Sequence, residues 1–60
     1  EIVGACECML ECLGESYEEP SSEVKSACQR TCRGKHYEGY EQGAMFAYQI
    51  REGKRQSCDQ

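Results

Sequence analysis

The sequence predicts an all-α fold: a disulfide-stapled antiparallel helical hairpin followed by a third, helical C-terminal segment. Three observations carry that expectation. Six cysteines stand in 60 residues, spaced Cys6-x-Cys8-x3-Cys12-x15-Cys28-x3-Cys32-x25-Cys58. Four of them form twin C-x3-C pairs, and an i, i+4 step sets both side chains of a pair on one helical face. Apolar residues around each pair recur at helical rather than alternating spacing. One cysteine in ten marks a disulfide scaffold, because a chain this short buries only roughly 60% of its unfolded surface. Trp is absent and Phe46 is the only Phe, so covalent staples must supply what the core lacks. Residues 1–60 are read as one disulfide-rich domain.

The first helix is expected over about residues 5–17. It carries two apolar stripes: Ala5, Cys8, Met9 and Cys12 on one side, and Val3, Cys6, Leu10, Leu13 and Tyr17 on the other. Two stripes require two partners. Gly14 offers an earlier stop, after which the loop would be Glu15 to Pro20; otherwise the helix runs to Tyr17 or Glu18. The second helix is expected over about 22–33, with Ser21 or Ser22 as N-cap, Glu23 in the first turn and Gly34 as the stop. Val24, Ala27, Cys28, Thr31 and Cys32 are its expected inward residues. The third segment, about 39–52, has Tyr40, Ala44, Ala47, Tyr48 and Arg51 at helical spacing. Phe46, Tyr48 and Ile50 also read as a strand, but a lone strand would have no partner and the segment is rich in helix formers. Its expected role is to cover Val3, Leu10 and Leu13.

Helices whose axes lie roughly 8 to 10 Å apart bring facing Cα atoms within disulfide reach. Antiparallel packing then pairs Cys8 with Cys32 and Cys12 with Cys28. Parallel packing would pair Cys8 with Cys28 and Cys12 with Cys32, and the short loop disfavours it. Elimination leaves Cys6 to Cys58. The motif Cys8-x3-Cys12-x-Gly14-x2-Tyr17-Glu18 recurs twenty residues on as Cys28-x3-Cys32-x-Gly34-x2-Tyr37-Glu38. An internal duplication, weighed against chance in a cysteine-rich chain, predicts matching local geometry in both halves.

Charge excludes further classes. Residues 1–24 hold seven acids and no base, while 25–60 hold four acids and seven bases, for a net charge of −4. That disfavours nucleic acid and insertion into anionic membranes, both of which need a cationic face. No apolar run is long enough to span a bilayer. His36 is the only histidine, which removes His-based triads. A thiolate zinc site from the C-x3-C pairs competes with disulfides, and an even cysteine count favours the disulfides and an oxidising, extracellular compartment. A start at Glu1-Ile2-Val3 without Met suggests a mature product whose signal peptide is gone. Neither a cofactor nor an enzyme activity is expected. Gly53-Lys54-Arg55 resembles a prohormone cleavage and amidation signal, but the chain continues to Cys58, so an uncut basic turn is preferred.

The remaining expectation is binding. The acids of the first helix are expected to offset Lys25, Arg30 and Arg33 as surface pairs. Alternatively, a basic end of Arg33, Lys35, His36, Lys54 and Arg55 is steered to an acidic receptor or channel vestibule. Lys35 and Tyr37, then Arg33, Tyr40, Lys54 and Arg55, are the candidate contact residues, because a cation beside aromatics can enter a pore while a ring grips its rim. The bland alternative is a solvated turn after Gly34. The chain is expected as a monomer, or as a weak homodimer through Tyr40, Met45, Phe46 and Tyr48.

The frame of Cys8, Cys12, Cys28 and Cys32 resembles that of the cysteine-stabilised helical hairpins, the α-hairpinins. They include plant defence peptides, some trypsin inhibitors and scorpion toxins acting on potassium channels. The small mitochondrial Tim chaperones share the frame, but 60 residues leave no room for their long helical arms. The resemblance spans about residues 5–34; Cys6, Cys58 and the third segment lie outside it. It implies a secreted peptide of venom-toxin type modulating an ion channel or receptor. The alternatives are an extracellular signal or pheromone, and a serine-protease inhibitor presenting Arg30 or Arg33.

Overall fold

The computed structural model describes residues 1–14 and 18–59 of the chain. Three helices follow one another: α1 (Ile2–Leu13), α2 (Ser22–Lys35) and α3 (Tyr40–Arg51). No strand is present among the described residues, so the strand reading of Phe46, Tyr48 and Ile50 gives way to helix.

Helix α1 starts three residues before the expected Ala5, although Ile2, Val3 and Gly4 are weak helix formers. Tertiary contact explains it. A Cβ on Gly4 would lie 2.7 Å from His36 Nδ1, and a Cβ on Gly39 would lie 2.7 Å from the Ile2 nitrogen. The first turn is thus clasped by the segment that follows α2. Helix α1 ends at Gly14, whose φ of 83° and ψ of 168° suit glycine alone and whose N–H bonds the Leu10 carbonyl at 2.8 Å. Tyr17 and Glu15 lie outside the described residues.

Helix α2 opens as expected, with the Ser21 hydroxyl accepting from the Val24 N–H at 3.2 Å. Glu23 in its first turn and Arg33 and Lys35 in its last complement the helix dipole. It does not stop at Gly34, which is helical; the cap is His36, whose N–H reaches the Cys32 carbonyl. The two halves of the repeated motif therefore diverge at their glycines. Gly14 terminates a helix by its left-handed φ, whereas Gly34 is carried through because His36, packed on Gly4, takes over the cap.

Helix α3 is entered through Gly39 at φ 84°. It leaves by a Schellman motif, in which the Lys54 N–H bonds the Gln49 carbonyl and the Gly53 N–H bonds that of Ile50, with Gly53 at φ 80°. The segment Gly53-Lys54-Arg55 is thus a helix-terminating turn.

Disulfides join Cys8 to Cys32, Cys12 to Cys28 and Cys6 to Cys58, each with Cα atoms 5.7 Å apart, within the usual span. Helices α1 and α2 are therefore antiparallel. Helix α3 runs parallel to α1: its start meets Ile2 and Ala5, and its end reaches Gly14 through Arg51. Both outer helices lean on α1 and touch each other little, so the Cα trace is broad and thin, 28 × 26 × 14 Å. Met9, Cys6, Cys28 and Cys32 are fully buried and join Ala44, Ala47 and Cys58 in the core.

Two packing expectations are corrected. Helix α2 buries only Cys28 and Cys32, while Val24, Ala27 and Thr31 face solvent. With α3 pressed against α1, nothing remains to cover a wider stripe on α2. Helix α3 likewise does not cover Val3, which is exposed; it packs on Ala5 and Cys6, with Leu10 and Leu13 partly buried beside the core. The reason is a seam of small residues, Gly39, Gly43 and Ala47, at i, i+4, i+8. Without large side chains between them, the backbones of α1 and α3 approach closely.

Candidate functional site

The basic residues sort into those engaged within the molecule and those that are not. Lys25 lies 3.9 Å from Glu19, an acid of the loop rather than of α1, and Lys54 lies 3.5 Å from Glu52. Arg51 donates from Nε to the Gly14 carbonyl and from a terminal nitrogen to the Glu18 carbonyl, both at 3.0 Å. It ties the end of α1 to the end of α3; hydrogen bonds from a charged donor contribute about 1.5–3 kcal/mol each. Arg55 lays its guanidinium 3.5 Å from the centroid of Phe46 and donates to the Ser57 carbonyl, a cation–π arrangement. Among the described residues, Arg30, Arg33 and Lys35 have no carboxylate within 4 Å. The expected offsetting of α1 acids by Arg30 and Arg33 does not occur, and Lys25 is served by the loop.

These exposed cations gather near the α2–α3 turn. Ser26, Arg30, Arg33 and Tyr37 follow an i, i+4, i+7, i+11 line down α2 and just beyond it, so one face presents them together. With Gln29, Gly34 and Tyr40 they line a groove of about 560 Å³ between α2 and α3. A second hollow of about 430 Å³ shares Arg33, Tyr37 and Tyr40 and continues past Gly39 to Glu41 and Gln42. The three shared side chains form the ridge between the hollows. The Gln29 amide donates to the Tyr48 hydroxyl at 3.1 Å, joining α2 to α3 beside the groove. Tyr37 is 75% exposed, whereas Tyr40 is half-buried. Burial chiefly, and Tyr48 secondarily, raise the pKa of the Tyr40 phenol against the opposing charge of Arg33. Its hydroxyl therefore remains a donor at neutral pH.

Of the predicted contact residues, the structure brings together Arg33, Tyr37 and Tyr40. Lys35 is exposed but two residues, or about 200°, round α2 from Arg33, so it adjoins the ridge from the far side. Lys54 and Arg55 belong elsewhere. Arg55 sits on Phe46, which is about 160° round α3 from the α2-facing Tyr48. Nor do the four residues considered for a homodimer share a face: Tyr40 and Tyr48 turn to α2, Met45 is 52% exposed, and Phe46 lies beneath Arg55. Sequence reasoning underrated Arg30 and missed Gln29; the signal was their i, i+3 and i, i+4 relation to Arg33.

All six cysteines are in disulfides, which removes the thiolates a zinc site would use. Among the described residues no His, Cys, Asp and Glu group could hold a metal ion, and no helix is long and apolar enough to cross a membrane. No family model, curated protein or solved structure matches this chain.

Proposed function

We propose that the protein acts by binding: a secreted, disulfide-stapled helical peptide of venom-toxin type that modulates an ion channel or receptor. The observation that carries this reading is the end of the hairpin, where Arg33 and Lys35 have no carboxylate partner among the described residues and Arg33 shares its ridge with the exposed Tyr37. Arg and Tyr are, with Trp, the side chains enriched at binding hot spots. The bonds Cys8–Cys32 and Cys12–Cys28 support kinship with the α-hairpinin frame, while the third helix and Cys6–Cys58 depart from it. The test applies the folded peptide to a panel of potassium channels and ligand-gated receptors, recording current. The expected result is a change in current whose potency falls roughly tenfold or more when Lys35 and Tyr37 are both alanine. Unchanged potency in that double variant overturns the assignment.

A second reading, an extracellular signal, is favoured by the exposed Glu7 and Glu11 on a helix with no base. There, reversal of Glu11 and Glu15 to lysine is expected to abolish a cellular response that the Lys35 and Tyr37 alanines leave intact. The inhibitor reading ranks third, since Arg30 and Arg33 both lie within α2 and offer no extended backbone to a protease cleft.

A further inference from the structure

We infer that the groove between α2 and α3 is a receptor for an acidic peptide segment of the partner, with Arg30 and Arg33 taking its Asp or Glu carboxylates and Tyr37 and Tyr40 packing against the segment. The inference rests on reading this end of the hairpin as the binding surface and names the chemistry of what binds there.

The charge distribution argues for it. The protein carries seven bases against eleven acids, so a base left without a carboxylate is unexpected. Lys25, Arg51, Lys54 and Arg55 each have an intramolecular partner. Of the three that have neither a carboxylate within 4 Å nor a side-chain hydrogen bond or cation–π contact among the described residues, two are arginines lining one groove. Like charges three residues apart on a helix repel, and the nearby acid, Glu41, lines the adjoining hollow without reaching Arg33. An incoming carboxylate relieves that repulsion.

The side chains suit a carboxylate on a peptide better than a lone anion. Arginine presents a planar fork that matches a carboxylate with two parallel hydrogen bonds. Ser26 and Gln29 add groups able to bond a peptide backbone, and the Tyr40 hydroxyl is a further donor. Tyr37, being exposed, supplies a ring face that gains most by being covered. Gly34 keeps the wall low, since a Cβ there would meet nothing within 4 Å. Nucleic acid is the weaker occupant, because binding it rests on many phosphate contacts and this groove offers two arginines.

The test is an NMR amide-shift titration of the oxidised protein with acetyl-hexa-aspartate amide, with acetyl-hexa-asparagine amide and inorganic phosphate as parallel arms. Saturable shifts are expected at Gln29, Arg33, Gly34, Tyr37 and Tyr40 with the aspartate peptide, weakening as salt is added. The Arg30→Gln, Arg33→Gln double variant should lose roughly tenfold or more in affinity with its helical circular dichroism unchanged, while Lys54→Gln binds as the parent does. Shifts spread equally over all basic residues, equal affinity of the double variant, or equal response to phosphate at matched charge would each overturn the inference. So would the same shifts arising on raising protein concentration alone, which would make a second copy the occupant. A silent channel and receptor panel with a positive titration removes the toxin reading and leaves the acidic-peptide site; the reverse removes the site and leaves the toxin.

Discussion

Gly43→Ala is expected to destabilise the protein by about 3 kcal/mol, the upper part of the range for overpacking a close-packed interior. A Cβ at position 43 would lie 2.5 Å from the Ile2 carbonyl oxygen, 2.6 Å from the Ala5 Cβ and 2.9 Å from the Cys6 nitrogen. Two of these neighbours are backbone atoms of α1 and cannot rotate away. The helices must separate along their whole seam, which loosens Ala47 and the core beside it. Gly34→Ala supplies the contrast. It too replaces a helical glycine, but its Cβ meets nothing within 4 Å, so the gain in helix propensity should stabilise by roughly 0.5–1 kcal/mol. Thermal unfolding followed by circular dichroism, disulfides intact, should move the two midpoints in opposite directions. A Gly43→Ala midpoint equal to that of the parent would mean that α1 and α3 are not in close backbone contact.

Replacing Cys8, Cys12, Cys28 and Cys32 together by alanine is expected to release α2 while α1 and α3 stay paired. Each of these bonds alone, closing 24 or 16 residues, contributes about 3 kcal/mol by loop-closure entropy; nested loops share closure, so the sum is smaller. What makes α2 depend on them is its own composition. It buries only Cys28 and Cys32, and a 14-residue helix without tertiary packing is marginal in water. Helix α3 is expected to depend less on its tether, because it packs against α1 along the seam of Gly39, Gly43 and Ala47. Hydrogen exchange on the four-alanine variant should show amides of 22–35 unprotected and those of 40–51 still slow. Equal protection of both segments would refute this division of labour.

The cysteine pattern made the hairpin legible, because an i, i+4 pair can only face one way and a short loop forces the helices antiparallel. The structure carries the same three bonds that this geometry selects. The choice of neighbour for α3 was not legible. Hydrophobic patterning finds large side chains, whereas the α1–α3 seam is made by their absence at Gly39, Gly43 and Ala47. The same blindness assigned Val24, Ala27 and Thr31 inward, since periodicity reports a stripe without saying whether anything is left to cover it. Gly34 read as a stop because glycine permits the conformation; whether the chain adopts it was decided by His36 settling on Gly4, a contact remote in sequence. Charge counted along the chain grouped Lys54 and Arg55 with Arg33. In space Glu52 and Phe46 hold them on another side, and it is Arg30 that accompanies Arg33.

The three bonds are concentric: Cys12–Cys28 lies inside Cys8–Cys32, which lies inside Cys6–Cys58. Every peptide bond from Cys6 to Cys58 therefore belongs to at least one covalent ring. A protease that cuts once anywhere along that stretch, including after Arg55, yields a nicked molecule heavier by one water and not two fragments. Between the two cysteines that close the outer ring, chain scission and loss of the molecule are separate events: a single cut there sheds no mass while the bonds stay oxidised.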